Sequence, residues 1–135
     1  MPRHPARRPS RDRAGFTLIE LLVVVVIIGV LASIAIPRFA LTKARANIAR
    51  VKSDLRNLET AQENYFYEHS MYSTDATALT MTTSPGVAVT IVSADSTGWA
   101  ATAVHATTNP VKCAVFYGKA TPVAPATQEG QIACQ

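Results

Sequence analysis

The chain has 135 residues and a formal net charge of +4, enough length for about one domain. Arg3, Arg7, Arg8, Arg11 and Arg13 against Asp12 put that entire charge in residues 1–15, so residues 16–135 are neutral overall. Lys112 and Lys119 are the sole cations of residues 73–135, which excludes a broad basic surface for nucleic acid there.

Residues 1–14 are polar, contain three prolines and show no periodicity, so the sequence predicts a disordered basic leader. An apolar run follows at residues 16–36, with Thr17, Glu20 and Ser33 as its polar members. Its length is close to the ~20 residues a bilayer-spanning helix needs. It is longer than the 7–15 residue apolar core of an ordinary signal peptide, and Ala-Ser-Ile-Ala-Ile-Pro matches a signal cleavage site poorly. Arginines before the run put the leader in the cytoplasm and the rest outside, with Arg38 opposing slightly. The β-branched composition suggests strand in water, but a single span in lipid must be helical. Gly29 permits close helix contacts, and Pro37 removes one backbone hydrogen bond.

Glu20 is the anomaly of this run. A formal charge in hydrocarbon is costly and asks for a function. The bland alternative is a carboxylate snorkelling to the cytoplasmic surface of a plain anchor.

Helical periodicity continues past Pro37. Apolar or small residues recur at Leu41, Ala44, Ile48, Val51, Leu55, Leu58 and Tyr65, with Gln62 as a polar interruption. No Gly or Pro occurs between 38 and 69, so residues 16–69 read as one helix of roughly 80 Å. Its cations come first (Arg38, Lys43, Arg45, Arg50, Lys52, Arg56) and its carboxylates later (Glu59, Glu63, Glu68), with Asp54 between. This order opposes the helix dipole. It allows either a solvated face with local pairs such as Arg50–Asp54, or contact between the basic section of one copy and the acidic section of a shifted copy.

Residues 73–85 read as an irregular loop ended by Pro85-Gly86. Strands are expected at 86–93, 99–106 and 111–117, with a turn at Asp95-Ser96-Thr97-Gly98 and a short edge strand within 130–134. The fold class is therefore α+β: a long N-terminal helix, about 16–69, packed by its outer half on a small antiparallel sheet of three or four strands. Many sheet positions are alanine, which makes the core thin. Cys113 and Cys134 form an even pair in an exported domain, which favours a disulfide over two free thiols. Such a bridge closes about 21 residues and contributes ~3 kcal/mol by loop entropy. Two cysteines alone do not make a zinc site. His69 and His105 are isolated, and Asp75, Asp95 and Glu129 are too scattered for calcium. Tyr65, Phe66, Tyr67 and Tyr72 read as packing aromatics, and Trp99 as a core or subunit contact. No nucleophile–base pair, phosphate loop or carboxylate dyad stands out, so no enzyme and no cofactor is expected.

The segment from Phe16-Thr-Leu-Ile-Glu to Ala-Ile-Pro37, behind a basic leader, resembles the N-terminal signature of type IV pilins and of the related type II secretion pseudopilins. The resemblance covers the apolar run and its immediate flanks, and it implies a pilin fold. It implies a cytoplasmic leader at 1–15, a transmembrane and assembly helix at 16–37, and a head at 38–135. The head comprises helix 38–69, loop 70–85, and a sheet with its disulfide region at 86–135. Gly15 looks like the last leader residue cut by prepilin peptidase, and Phe16 like the new N-terminus that the same enzyme N-methylates. Glu20 looks like the buried assembly carboxylate, and Pro37 like the place where the helix loosens in filaments. Cys113 and Cys134 resemble the pair that brackets the C-terminal region. The implied partners are further copies in a helical filament, the peptidase/N-methyltransferase, an inner-membrane assembly platform, and lipid before assembly. Nucleic acid is not expected to bind this subunit alone. The resemblance implies the inner membrane, then the extracellular pilus, as locations. A pilus subunit is the first reading, with a pseudopilin or a minor pilin as alternatives.

Overall fold

The computed structural model describes residues 15–108 and 111–135. Residues 1–14 of the expected leader, and Asn109 and Pro110, lie outside the described residues. The chain divides into two compact units at Arg38–Phe39. Helix α1 (Leu18–His69, 52 residues) contributes to both and includes Pro37 in its interior.

In the first unit, from Leu21 to Ile36, the helix is apolar on every side except at Ser33, whose hydroxyl donates to the Val30 carbonyl at 2.7 Å. A window of α1 has a mean hydropathy of 3.0 and none of it is buried. Its large side chains, from Leu18 to Ile36, are all exposed. A helix with no polar face finds its favourable surroundings in lipid or in other helices.

In the second unit α1 has one buried line: Asn47, Val51, Asp54, Leu55, Leu58 and Gln62. Spacings of three and four put these residues on one face. Leu41, expected on this stripe, is exposed. Four strands follow: β1 (Val87–Ala94), β2 (Gly98–His105), β3 (Lys112–Gly118) and β4 (Ala133–Cys134). They form one antiparallel sheet in the order β1-β2-β3-β4. The sheet therefore consists of three full strands and a two-residue edge.

Strand alternation sorts the side chains. Trp99, Ala101, Ala103, Cys113 and Val115 pack with Val51, Leu55, Leu58, Leu79 and Val87. Ala100, Ala114 and Phe116 point to the other face, where Ala126 covers them with support from Val123. The C-terminal loop thus closes the second face of β2 and β3. Trp99 is wholly buried and stacks on Tyr117, which makes it a core residue. Partial burial raises the Tyr117 phenol above its usual range, and a hydrogen bond to Glu59 adds to the rise.

Three polar side chains on the buried line each hold a loop. Asn47 Nδ2 donates to the hydroxyls of Thr107 and Thr108 at 3.0 Å each. Asp54 accepts from the Ser84 amide at 2.7 Å and its hydroxyl at 3.0 Å. Gln62 accepts the Ser73 amide at 2.9 Å and donates to the Ser73 carbonyl at 2.7 Å. The Arg50–Asp54 pair is not what forms: Asp54 is turned inward to Ser84, and Arg50 donates to Asn47 Oδ1. Gln62 does not interrupt the packing either, because both ends of its amide are satisfied in the core.

Asp95 organises the β1–β2 turn by accepting the Thr97 amide and hydroxyl and the Gly98 amide. A Cβ on Gly98 would collide with the Tyr117 carbonyl, so this turn requires glycine. Cys113 and Cys134 face each other across β3 and β4 and are disulfide-bonded, with a Cα separation of 4.0 Å. Lys112 and Gln135 exchange both backbone hydrogen bonds beside them.

Candidate assembly site at the helix N-terminus

Gly15, Phe16 and Thr17 precede the helix in a non-helical conformation. Thr17 is the N-cap: its hydroxyl accepts the Glu20 amide at 3.2 Å. Glu20 Oε2 reaches back to accept the Thr17 amide and the Thr17 hydroxyl, both at 2.8 Å. This reciprocal arrangement is a capping box, which satisfies backbone donors that a helix start leaves open. The carboxylate also lies at the positive end of the helix dipole, which favours its charge.

The sequence carried the signal for this box in Thr17-Leu-Ile-Glu20 ahead of an apolar run. The reading of Glu20 as an isolated charge overlooked it. Phe16, Ile19, Val23 and Val24 line an open recess beside Glu20. The carboxylate therefore sits at an exposed, apolar helix start with two donors from one neighbouring residue. A carboxylate oxygen accepts more than one hydrogen bond, so Glu20 retains capacity for a further cation.

Gly15 and Phe16 lie directly before Thr17, and a Cβ on Gly15 would meet nothing within 4 Å. Pro37 is several turns further along the helix, and the Cys113–Cys134 bridge belongs to the second unit. The structure thus brings Gly15, Phe16 and Glu20 to one end of α1, while Pro37 and the cysteines are elsewhere. No group of three His, Cys, Asp or Glu side chains suited to a metal occurs among the described residues.

The prokaryotic N-terminal methylation motif matches residues 10–36, which include Gly15, Phe16, Thr17 and Glu20. The type IV wide pilus major component PilA4 of Thermus thermophilus is 35% identical over 99 residues, covering 70% of this chain and 76% of that protein. The chain belongs to the type IV pilin and type II secretion pseudopilin family.

Other members of the family are similar over shorter stretches. The type IV major pilin protein PilA of Myxococcus xanthus is 50% identical over 68 residues, 50% of this chain and 30% of that protein. The type II secretion system core protein G of Klebsiella michiganensis is 38% identical over 78 residues, 57% of this chain and 55% of that protein. This pilin-family chain spans about a third to just over half of those two relatives.

Proposed function

We propose that the chain is the structural subunit of a type IV pilus, processed between Gly15 and Phe16, N-methylated on Phe16, and polymerised from the inner membrane. The observation that carries this reading is the uncovered apolar start of α1 with one carboxylate, Glu20, at its entry. Residues 16–37 act first as a single membrane span with a cytoplasmic N-terminus. Afterwards they act as the helical core of a filament. Lipid and a bundle of apolar helices are similar in polarity, so the transfer has no large hydrophobic cost.

Cleavage frees an ammonium at Phe16 within reach of a carboxylate one helical turn on. Pairing of that ammonium with Glu20 of a neighbouring copy fixes axial register, since a shifted copy leaves two charges unpaired in apolar surroundings. Thr17 holds Glu20 at the helix start until that cation arrives. Repetition of one such contact builds an open helical polymer. Pro37, which interrupts the backbone ladder, is where α1 loosens during this packing. The peptidase/N-methyltransferase and an inner-membrane assembly platform are the partners this route requires.

A pseudopilin is the second reading, favoured by the similarity to core protein G. Electron microscopy of sheared surface filaments, with mass spectrometry of their main component, distinguishes the two. A pilus subunit gives filaments whose dominant N-terminal peptide begins at N-methylated Phe16. A pseudopilin gives no surface filaments, and its deletion abolishes secretion of exported proteins. A main component that still starts at Met1 overturns both.

A further inference from the structure

The two edges of the sheet are unequal. One ends at β4, two residues long, and the other is β1, eight residues long. Residues 86–94, Gly-Val-Ala-Val-Thr-Ile-Val-Ser-Ala, contain no charge and no proline. Folded proteins usually blunt a sheet edge with a short strand, a charge or a proline, because an open edge pairs with further strands. From Val87 to Ile91 β1 has none of these, and its composition is that of strand-pairing segments.

The ladder fixes which backbone groups of β1 are free. Ala106 donates to the Gly86 carbonyl at 2.9 Å. Alternation along β1 and β2 then commits Ala88 and Thr90 to β2, and turns the amides and carbonyls of Val87, Val89 and Ile91 outward. The Val87 amide is taken by the Ser84 carbonyl at 3.0 Å. A register shift between Ile91 and Ser93 marks a bulge that ends the regular edge. Val89 and Ile91 thus each keep an amide and a carbonyl without a hydrogen-bond partner among the described residues. Their side chains pack on the main core, while Ala88 and Thr90, between and beside them, are exposed.

We infer that β1 is a strand-addition edge for β1 of a second copy, paired antiparallel about a two-fold axis at Thr90. The inference rests on the filament reading above. Val89 exchanges both backbone hydrogen bonds with Ile91 of the other copy, and Ile91 does so with Val89, so every free donor meets a free acceptor. Centring on Val89 engages the Val87 amide already given to Ser84, and centring on Ile91 engages the bulge. Thr90 is therefore the register that uses only free groups. Thr90 faces Thr90 across the axis, a favourable cross-strand pair, and Ala88 lies opposite the exposed Val92, a small side chain against a larger one. The two-fold axis stands perpendicular to the joined sheet, so it reverses the part of α1 that packs on that sheet. All copies in one helical polymer point the same way, so the contact joins two filaments lying antiparallel.

Sheared filaments of the full-length chain test this. Low-speed sedimentation and electron microscopy are expected to show parent filaments in lateral bundles, with neighbours of opposite polarity. Thr90→Lys and Thr90→Glu place like charges across the axis, and each alone should lower the bundled fraction on the order of tenfold. Mixing the two kinds of filament should restore bundling to within about threefold of the parent, because unlike charges then face each other. Melting of each detergent-solubilised variant shows whether its head is folded. Thr90→Cys filaments oxidised with copper phenanthroline should give a covalent dimer and nothing longer, since the contact closes at two copies. Parent filaments that stay single overturn the inference, and leave an extended segment of another protein as the strand that fits this edge. Parallel neighbours, undiminished bundling of both charged variants, failure of their mixture to bundle, or absence of the dimer overturns it equally. Absence of filaments from the parent chain is a different result, and refutes the filament reading itself.

Discussion

The two parts of helix α1 follow one backbone geometry and two different rules of burial. From Leu21 to Ile36 the large side chains are apolar in every direction and all exposed. From Asn47 to Gln62 a single line is buried, and it includes three polar residues with specific partners. The contrast shows where each part finds its favourable environment. The head closes its own core around a main cluster that includes Trp99, Leu55 and Leu58. The start of α1 has no core of its own among the described residues, and an apolar helix of this kind finds favourable surroundings in lipid or in other helices. Shape and satisfied hydrogen bonds define the head. Overall polarity and one carboxylate define the start of the helix.

Substitution at the carboxylate should divide the two regions most sharply. On the filament reading proposed above, which gives the Glu20 charge the register role, Glu20→Val is expected to reduce filament yield more than ~tenfold. The melting temperature of the head should not move, since the hydrogen bonds of Glu20 are to Thr17 alone. Undiminished filaments in a shearing assay would remove the register role. Leu58→Ala should do the reverse. Leu58 is wholly buried, and its truncation should cost the head about 2–5 kcal/mol in denaturant unfolding. The same change on the exposed Leu22 should leave head stability within ~0.5 kcal/mol. Cys134→Ser with Cys113→Ser should lower head stability by about 2–4 kcal/mol, read by the same unfolding curves with and without reductant.

The smallest effect is electrostatic and belongs to the head. The Thr97 amide, then the Thr97 hydroxyl, hold the Asp95 carboxyl below its usual value, and the Thr77 hydroxyl and amide do the same for Asp75. A lowered folded-state value means that the folded chain binds fewer protons than the unfolded one. These groups therefore stabilise the head above about pH 4, and the contribution is lost as pH falls through the folded values. Thermal melts of an Asp75→Asn/Asp95→Asn variant should depend less on acid between about pH 4 and pH 2 than those of the parent. An equal acid slope in the two proteins would exclude this account.

Much of this was legible because the signals are local. A basic leader, an apolar run and Phe16-Thr-Leu-Ile-Glu20 are contiguous, and helical spacing without Gly or Pro carries α1 to His69 as expected. The three full strands lie within a residue or so of their expected limits, because alternation and the Asp95–Gly98 turn are also short-range. The buried polar residues were not legible. Gln62, Asp54 and Asn47 bind groups 11, 30 and 60 residues away, and no pattern along α1 encodes those partners. Leu41 differs for the converse reason: its spacing fits the stripe, but among the described residues no strand or loop covers it. At Glu20 the capping signature is local, Thr17-Leu-Ile-Glu20, and one carboxylate both carries the charge of the run and caps the helix.

The Gln62–Ser73 pair has a consequence for how the head opens. Ser73 belongs to an irregular connection, where amides usually exchange with solvent by small local fluctuations. Its amide is donated to a side chain with no exposed surface, in the middle of the helix–sheet core. That proton is released only when the core itself comes apart. Ser73 is therefore expected to exchange at a rate close to the amides of β2 and β3, and native-state hydrogen exchange faster than theirs would show that it opens with the connection instead.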